Sequence, residues 1–233
     1  MIPLRDDIPS SRVPVVNFTL LGACLLVFLW QLSLGPEGFE RAVFSLGVIP
    51  ATLLGDAELP AELRLIPPEA TIFTSMFMHG GLLHLAGNLL YLWIFGDNVE
   101  DAMGHGRFLV FYFACGIVAA LAQALPDPDS TIPMIGASGA ISGVLGAYLL
   151  LYPRARVLVL IPLGFFSQIV HLPAIFVLGL WFLLQLVSSL FAEAGQGGVA
   201  FGAHIGGFIA GMALVPFFKR ARVPLFGGPR RYY

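Results

Sequence analysis

Charge is what this sequence has least of. Asp, Glu, Lys and Arg make up 11% of its 233 residues, against about a quarter in soluble domains. That is too few to coat a surface facing water. The net charge of −2 offers no basic patch, and so no footing for nucleic acid. Cysteine is nearly absent as well. Cys24 and Cys115 both lie in apolar runs, which speaks against a disulfide framework or a cysteine-ligated metal and leaves two small core residues. No motif calls for a cofactor. Met1–Arg12 is polar, with two Asp and two Arg, and the apolar stretch behind it has no small-residue cleavage site. It reads as a retained membrane helix, not a removed signal peptide.

What is abundant is apolar: 58% of the residues, in long runs. Crossing about 30 Å of hydrocarbon takes roughly 20 helical residues. Six runs suit that task, approximately Val16–Leu34, Leu82–Phe95, Phe108–Leu125, Ser138–Leu151, Pro173–Phe191 and Val199–Phe218. Val157–Leu172 is also apolar, but Pro162, Gly164, Ser167, Gln168 and His171 interrupt it, which predicts a connection at the interface or against the bundle. Six spans put both termini on one side. That side would hold Arg5, Arg12, Arg107, Arg154, Arg156, Lys219, Arg220, Arg222, Arg230 and Arg231, and the other only Arg41 and Arg64. By the positive-inside rule both termini are cytoplasmic, and a seventh span would put the basic C-terminus outside. The expected fold is an all-α membrane protein, a six-transmembrane-helix bundle over 16–218, with a cytoplasmic tail at 1–15 and a basic one at 219–233. The long external loop, about 35–81, carries Pro50, Pro60, Pro67 and Pro68. Loops of that length are usually ordered or functional.

Polar residues inside apolar runs are costly, so each is a functional candidate. His84 and Asn88 open the second run four residues apart, on one helix face, where they can carry chemistry or hold helices together. Gly136-Ala137-Ser138-Gly139 opens the fourth. From Ser138 to Tyr152-Pro153-Arg154 is about 15 residues, or roughly 22 Å of helix, several ångströms short of the membrane. Ser138 therefore sits below the outer surface, and the segment from Asp127 through Ile135 must dip inward, buried in protein or lining a wet cavity. Gly202-Ala203-His204 opens the sixth, where Gly202/Gly206 and Gly207/Gly211 are small-xxx-small pairs suited to close packing. Gly139, Ser142, Gly143 and Gly146 match them on the fourth, which predicts that these two helices pack together. All three runs start on the same side, so Ser138, His204, His84 and Asn88 converge on one layer.

A serine hydroxyl needs a base, and His is the usual one near neutral pH. No carboxylate lies in the apolar runs near His204, so the pair would be a dyad. Asn88, His84 and the Ser138 N–H at a helix N-terminus suit an oxyanion.

His84…Asn88 as H-x-x-x-N, Gly136-Ala137-Ser138-Gly139 as G-x-S-G, and Ala203-His204…Gly207 as A-H-x-x-G, in that order, resemble the rhomboid family of intramembrane serine proteases. The likeness runs from about Thr71 to Pro216, and Gly96-Asp97-Asn98-Val99-Glu100…Gly104 also fits it. The resemblance implies Ser138 as nucleophile, His204 as general base, and Asn88 and His84 on the oxyanion. Gly136 and Gly139 shape the nucleophile turn, and His79 has a supporting role. It implies single-pass transmembrane substrates, cut in the lipid and entering near the fifth helix and the Glu193–Gly198 loop. There are two departures. Where some members place an aromatic residue one turn after the nucleophile, against the histidine ring, this chain has Ser142, so what orients His204 is open. The Trp-Arg pair that many members carry in the first external loop is missing before Met78.

Three other readings remain. A catalytically silent rhomboid-like binding or trafficking factor would keep the fold and lose the dyad. A channel or transporter could use buried His and Ser as a relay, though the inverted repeats of transporters are lacking. A metalloprotease built on His79, His84 and His204 would lack H-E-x-x-H and any carboxylate ligand. A chain with short tails and no transit peptide suits a prokaryotic plasma membrane.

Overall fold

A computed structural model describes residues 1–163, 166–191 and 199–227. Arg230, Arg231 and the whole Glu193–Gly198 loop proposed as an entry gate lie outside the described residues. Six long helices dominate: α1 (Val15–Ser33), α5 (Leu82–Met103), α6 (His105–Ala124), α7 (Ser138–Leu151), α8 (Ala174–Leu190) and α9 (Phe201–Phe218). By length and composition α1, α6 and α9 can cross a membrane, while α7 and α8 are apolar but shorter. The connection from α1 to α5 is itself folded into α2 (Gly35–Leu46), α3 (Pro50–Leu53), α4 (Pro68–Thr74) and a 3₁₀ turn at Ser75–Phe77. Each of these three helices has a proline in its first two positions, where the missing N–H costs nothing and the fixed φ suits the helix.

The fold departs from the all-α expectation in one place. Val157–Leu172 is not an irregular connection but most of a β-hairpin, with β2 (Arg156–Leu163) paired antiparallel to β3 (Phe166–Pro173). The N-terminal β1 (Ile2–Arg5) joins β2 on its other edge, giving a three-stranded sheet of order β1-β2-β3. Val157 and Val159 alternate inward, fully buried, while their neighbours are more exposed. The period of two was masked because the outward positions are apolar as well. Residues 1–15 are correspondingly not a loose tail.

The second departure is α5, which runs on past Phe95 to Met103 and carries four polar residues in its last turns. Each meets a partner from the N-terminal segment. The Glu100 carboxylate accepts the Val16 N–H at 3.0 Å and the Asn17 N–H at 2.7 Å, which caps α1, a helix that has no capping side chain of its own. The Ser10 hydroxyl donates to Asp97, the Ser11 N–H and hydroxyl donate to Asp101, and Asn98 donates to the Ile8 carbonyl. His105, the first residue of α6, pairs with Glu100. The helix stops at Gly104, whose φ of +90° disfavours a side chain.

The predicted pairing of the fourth and sixth runs is present as the contact between α7 and α9. A Cβ on Gly207 or Gly211 would strike the carbonyl oxygens of Gly139 or Gly143, and one on Gly146 would strike that of Phe208. The two backbones touch.

Gly211→Leu must therefore separate these helices and should cost roughly 1–3 kcal/mol or more, read as a lower melting temperature in detergent. Gly179→Leu on α8, with open space around its Cβ position, should be neutral or slightly stabilising. A second expectation concerns Asp6, which accepts the Tyr148 hydroxyl. Burial, with smaller contributions from Asp97 and Asp7, raises its carboxyl from the ordinary 3.8 to about 7, against the opposing Tyr148 bond. The folded chain thus holds this proton more tightly than the unfolded one. Stability should fall as pH rises from about 4 to about 7, by up to about 1.4 kcal/mol per pH unit. Asp6→Asn should flatten that dependence in melts taken across the pH range.

Candidate active site

The site sits where α7 and α9 begin and where the chain enters α5. Ahead of α7, the 125–137 segment has no regular helix or strand, and several of its backbone groups bond to other parts of the protein. Val48 and Met134 exchange N–H···O bonds of 3.0 and 2.7 Å, and the Gly136 N–H donates to the Ser75 carbonyl at 2.8 Å. α7 then starts at Ser138 and lasts 14 residues, about 21 Å. The Ser138 side chain is half-buried and, with Gly136, Ser75 and Ala203, borders a small cavity.

Asn88 and His84 share a face of α5, as their spacing predicts. Gly136 adopts a φ of +124°, and a Cβ there would fall 2.7 Å from His84 Nε2 and 3.7 Å from Asn88 Nδ2. The absence of a side chain at Gly136 is thus what keeps these two nitrogens open, two residues ahead of the serine. The Gly80 N–H donates to His84 Nδ1 at 3.4 Å, which leaves the proton of a neutral ring on Nε2, the nitrogen facing Gly136. Asn88 Nδ2 is buried and meets no acceptor among the described residues. A buried amide donor without a partner is expensive, and such groups concentrate where a ligand or transition state supplies the acceptor.

His79 is fully buried. Its N–H donates to Gln31 Oε1 at 3.0 Å and its carbonyl accepts from Gln31 Nε2 at 3.2 Å. One side chain of α1 thereby holds the turn that leads into α5. The ring packs edge-on to His84 with centroids 5.2 Å apart, and His79 is not among the residues bordering the cavity beside Ser138.

His204 lies in the first turn of α9, whose start is anchored by the Ala203 N–H donating to Gln123 Oε1 of α6 at 3.2 Å. A Cβ on Gly139 would meet Ala203 at 3.6 Å, so the two motifs lie against each other. Ser138 and His204 share no hydrogen bond in this resting arrangement among the described residues. The His204 Nδ1 bond goes to Gln185 Oε1 at 2.7 Å. Resting structures often hold such pairs long. Ser142, at the departure noted above, does not face the histidine: its hydroxyl donates to the Ser138 carbonyl at 2.6 Å. The aromatic neighbour of the His204 ring is Trp181, with centroids 5.8 Å apart.

Gln185 and Trp181, both on α8, are the residues that the sequence patterns passed over. The signal was present for Gln185, the one amide in an otherwise apolar stretch from Ala174 to Val187. An amide in lipid needs a partner, but which partner depends on how α8 is seated.

The rhomboid domain family model matches residues 69–221. Rhomboid protease GluP of Bacillus subtilis (strain 168) is 37% identical over 143 residues, 61% of this chain and 25% of that protein. Rhomboid protein 1, mitochondrial, of Saccharomyces cerevisiae is 28% identical over 180 residues, 65% of this chain and 51% of that protein. Rhomboid-like protease 3 of Toxoplasma gondii is 28% identical over 206 residues, 88% and 69% respectively. The chain thus spans a quarter of the first relative and about half of the second. The matched segment takes in the His84/Asn88 face, the Ser138 turn and the start of α9, more than half of the whole, and by it the chain belongs to the rhomboid family.

Proposed function

We propose that this chain is an intramembrane serine endopeptidase that hydrolyses peptide bonds in or near transmembrane segments through a dyad of Ser138 and His204. The observation that carries the reading is the unpartnered Asn88 Nδ2 beside His84 Nε2, over the bare Gly136 backbone next to Ser138. Two neutral donors converge there on a place where no acceptor stands among the described residues. That is what a developing oxyanion needs; other buried polar atoms also lack partners, but this one faces the bare Gly136 backbone beside His84.

On this reading His204 Nε2 takes the Ser138 hydroxyl proton as Oγ attacks the scissile carbonyl carbon. The carbonyl oxygen gains the negative charge and is held by Asn88 Nδ2, His84 Nε2 and the Ser138 N–H at the start of α7. Collapse of the tetrahedral intermediate breaks the C–N bond, and His204 returns the proton to the departing amine. A water molecule, deprotonated by the same imidazole, then releases the acyl group from Ser138. Gly136 keeps the donors uncovered, and Gly139 lets α9 bring Ala203 and His204 close. His79 backs the His84 ring.

The proposed unit is a six-helix membrane domain over 16–218, with both termini cytoplasmic in a prokaryotic plasma membrane. The substrates are single-pass transmembrane proteins presented within the lipid. The orientation rests on the basic residues at the ends of the helices. The short α7 supports a serine lying below the surface, within reach of an unwound substrate strand.

Ser138→Ala and His204→Ala should each abolish cleavage of a transmembrane reporter in liposomes while the proteins still melt cooperatively. A fluorophosphonate should label the wild type and spare Ser138→Ala. Undiminished cleavage by Ser138→Ala would reject the reading. Asn88→Ala should lower kcat by roughly 10²–10³-fold with a much smaller change in KM, measured on the same reporter.

A further inference from the structure

α8 carries one amide on a face that is otherwise hydrocarbon, and the place where that amide ends is informative. Gln185 Oε1 lies 2.7 Å from His204 Nδ1. A carbonyl oxygen can only accept, so Nδ1 must be the protonated nitrogen of a neutral ring, and Nε2 carries the lone pair. The opposite amide orientation would donate to Nδ1, place the proton on Nε2 and disarm the ring as a base. Trp181, one turn before Gln185, covers the same imidazole, so α8 controls both its rotation and its tautomer. Ser142 is spent on the Ser138 carbonyl, and no other described side chain bonds to His204.

We infer that Gln185 is the positioning residue of the active site, doing from α8 what a buried carboxylate does in a catalytic triad: it fixes the His204 tautomer and aims Nε2 at Ser138. The inference rests on the dyad reading above and adds the group that was missing from it. A neutral acceptor suits a base buried beside lipid, because it orients the ring without burying a second charge. It also ties the base to the seating of α8, whose buried side chains, Ala174, Val177 and Leu178, all lie at its other end.

The titratable surroundings are sparse. Of the elements around His204, α5 contributes His84, which lies within electrostatic range, with His79 behind it. Asp97, Glu100 and Asp101 of α5, and His105 and Arg107 of α6, sit at the far ends of those helices. Ser138 and Ser142 of α7 bring no charge, and α8 and α9 bring none on this layer.

Two size-matched variants test the inference on a liposome reporter. Gln185→Met removes the acceptor and should lower kcat by roughly ten- to a hundredfold, with KM changed far less. Gln185→Glu keeps the acceptor and adds a charge that favours the imidazolium, so the acid limb of the kcat–pH profile should move up by about one pH unit or more. A side chain that only packed α8 and did not stand against the ring would move neither the pH limb nor kcat alone. Wild-type kcat in Gln185→Met, or an unmoved acid limb in Gln185→Glu, would overturn the inference while fluorophosphonate labelling of Ser138 left the dyad intact. Should Gln185→Met fail to fold, as its melting curve would tell, the Gln185→Glu profile decides alone. A wild type that neither cleaves nor labels at Ser138 would instead sink the dyad reading, and this inference with it.

Discussion

A polar group drawn into an apolar surrounding has to find its partner within the protein, and that requirement organises this molecule from end to end. The segment before α7 pairs backbone groups of Met134 and Gly136 with Val48 and Ser75. Gln31 of α1 closes on both backbone groups of His79, and Asn17 donates to the Leu92 carbonyl at 3.2 Å. Each pairing crosses between elements distant in sequence, so the same bonds that discharge the desolvation cost also set the relative positions of the helices. A few buried polar atoms are left without a partner among the described residues, and the one on Asn88 lies beside the serine turn.

Close backbone contact is the second organising feature. Glycines on α7 and α9 let the two helices touch without intervening side chains, so the depth of one start is locked to that of the other. A serine and a histidine carried on those starts inherit the alignment. Had the interface been lined with leucines, the axes would stand several ångströms further apart and the two side chains would be left to bridge the difference.

At the opposite end of the helices, the sheet and the N-terminal segment act as a clasp. β1 is held by β2, Asp6 reaches Tyr148 on α7, and Glu100 caps α1. The acidic end of α5 is folded into protein contacts instead of being left to solvent. α8 stands apart from this arrangement. Most of its surface is exposed apolar side chain, its attachment is concentrated near its start, and the Gln185–His204 bond is a polar link from its second half to the rest of the bundle.

Much of the site was legible in the chain itself. Scarcity of charge announces a lipid environment, the run after Ser138 is legible as a short helix, and the i, i+4 spacing of His84 and Asn88 puts them on one face. These follow from composition and helical period alone, because they need no knowledge of what lies opposite. The glycine pattern also predicted the α7–α9 contact, since complementary small residues have few other uses. Three things were decided only in the tertiary structure. The hairpin of β2 and β3 was hidden because an all-apolar strand shows no alternation. The continuation of α5 to Met103 was hidden because Asp97, Asn98, Glu100 and Asp101 read as a loop until their N-terminal partners are in place. The partner of His204 was hidden because a hydrogen bond between Gln185 and a ring 19 residues further on depends on where two helices stand side by side, and no local pattern encodes that distance.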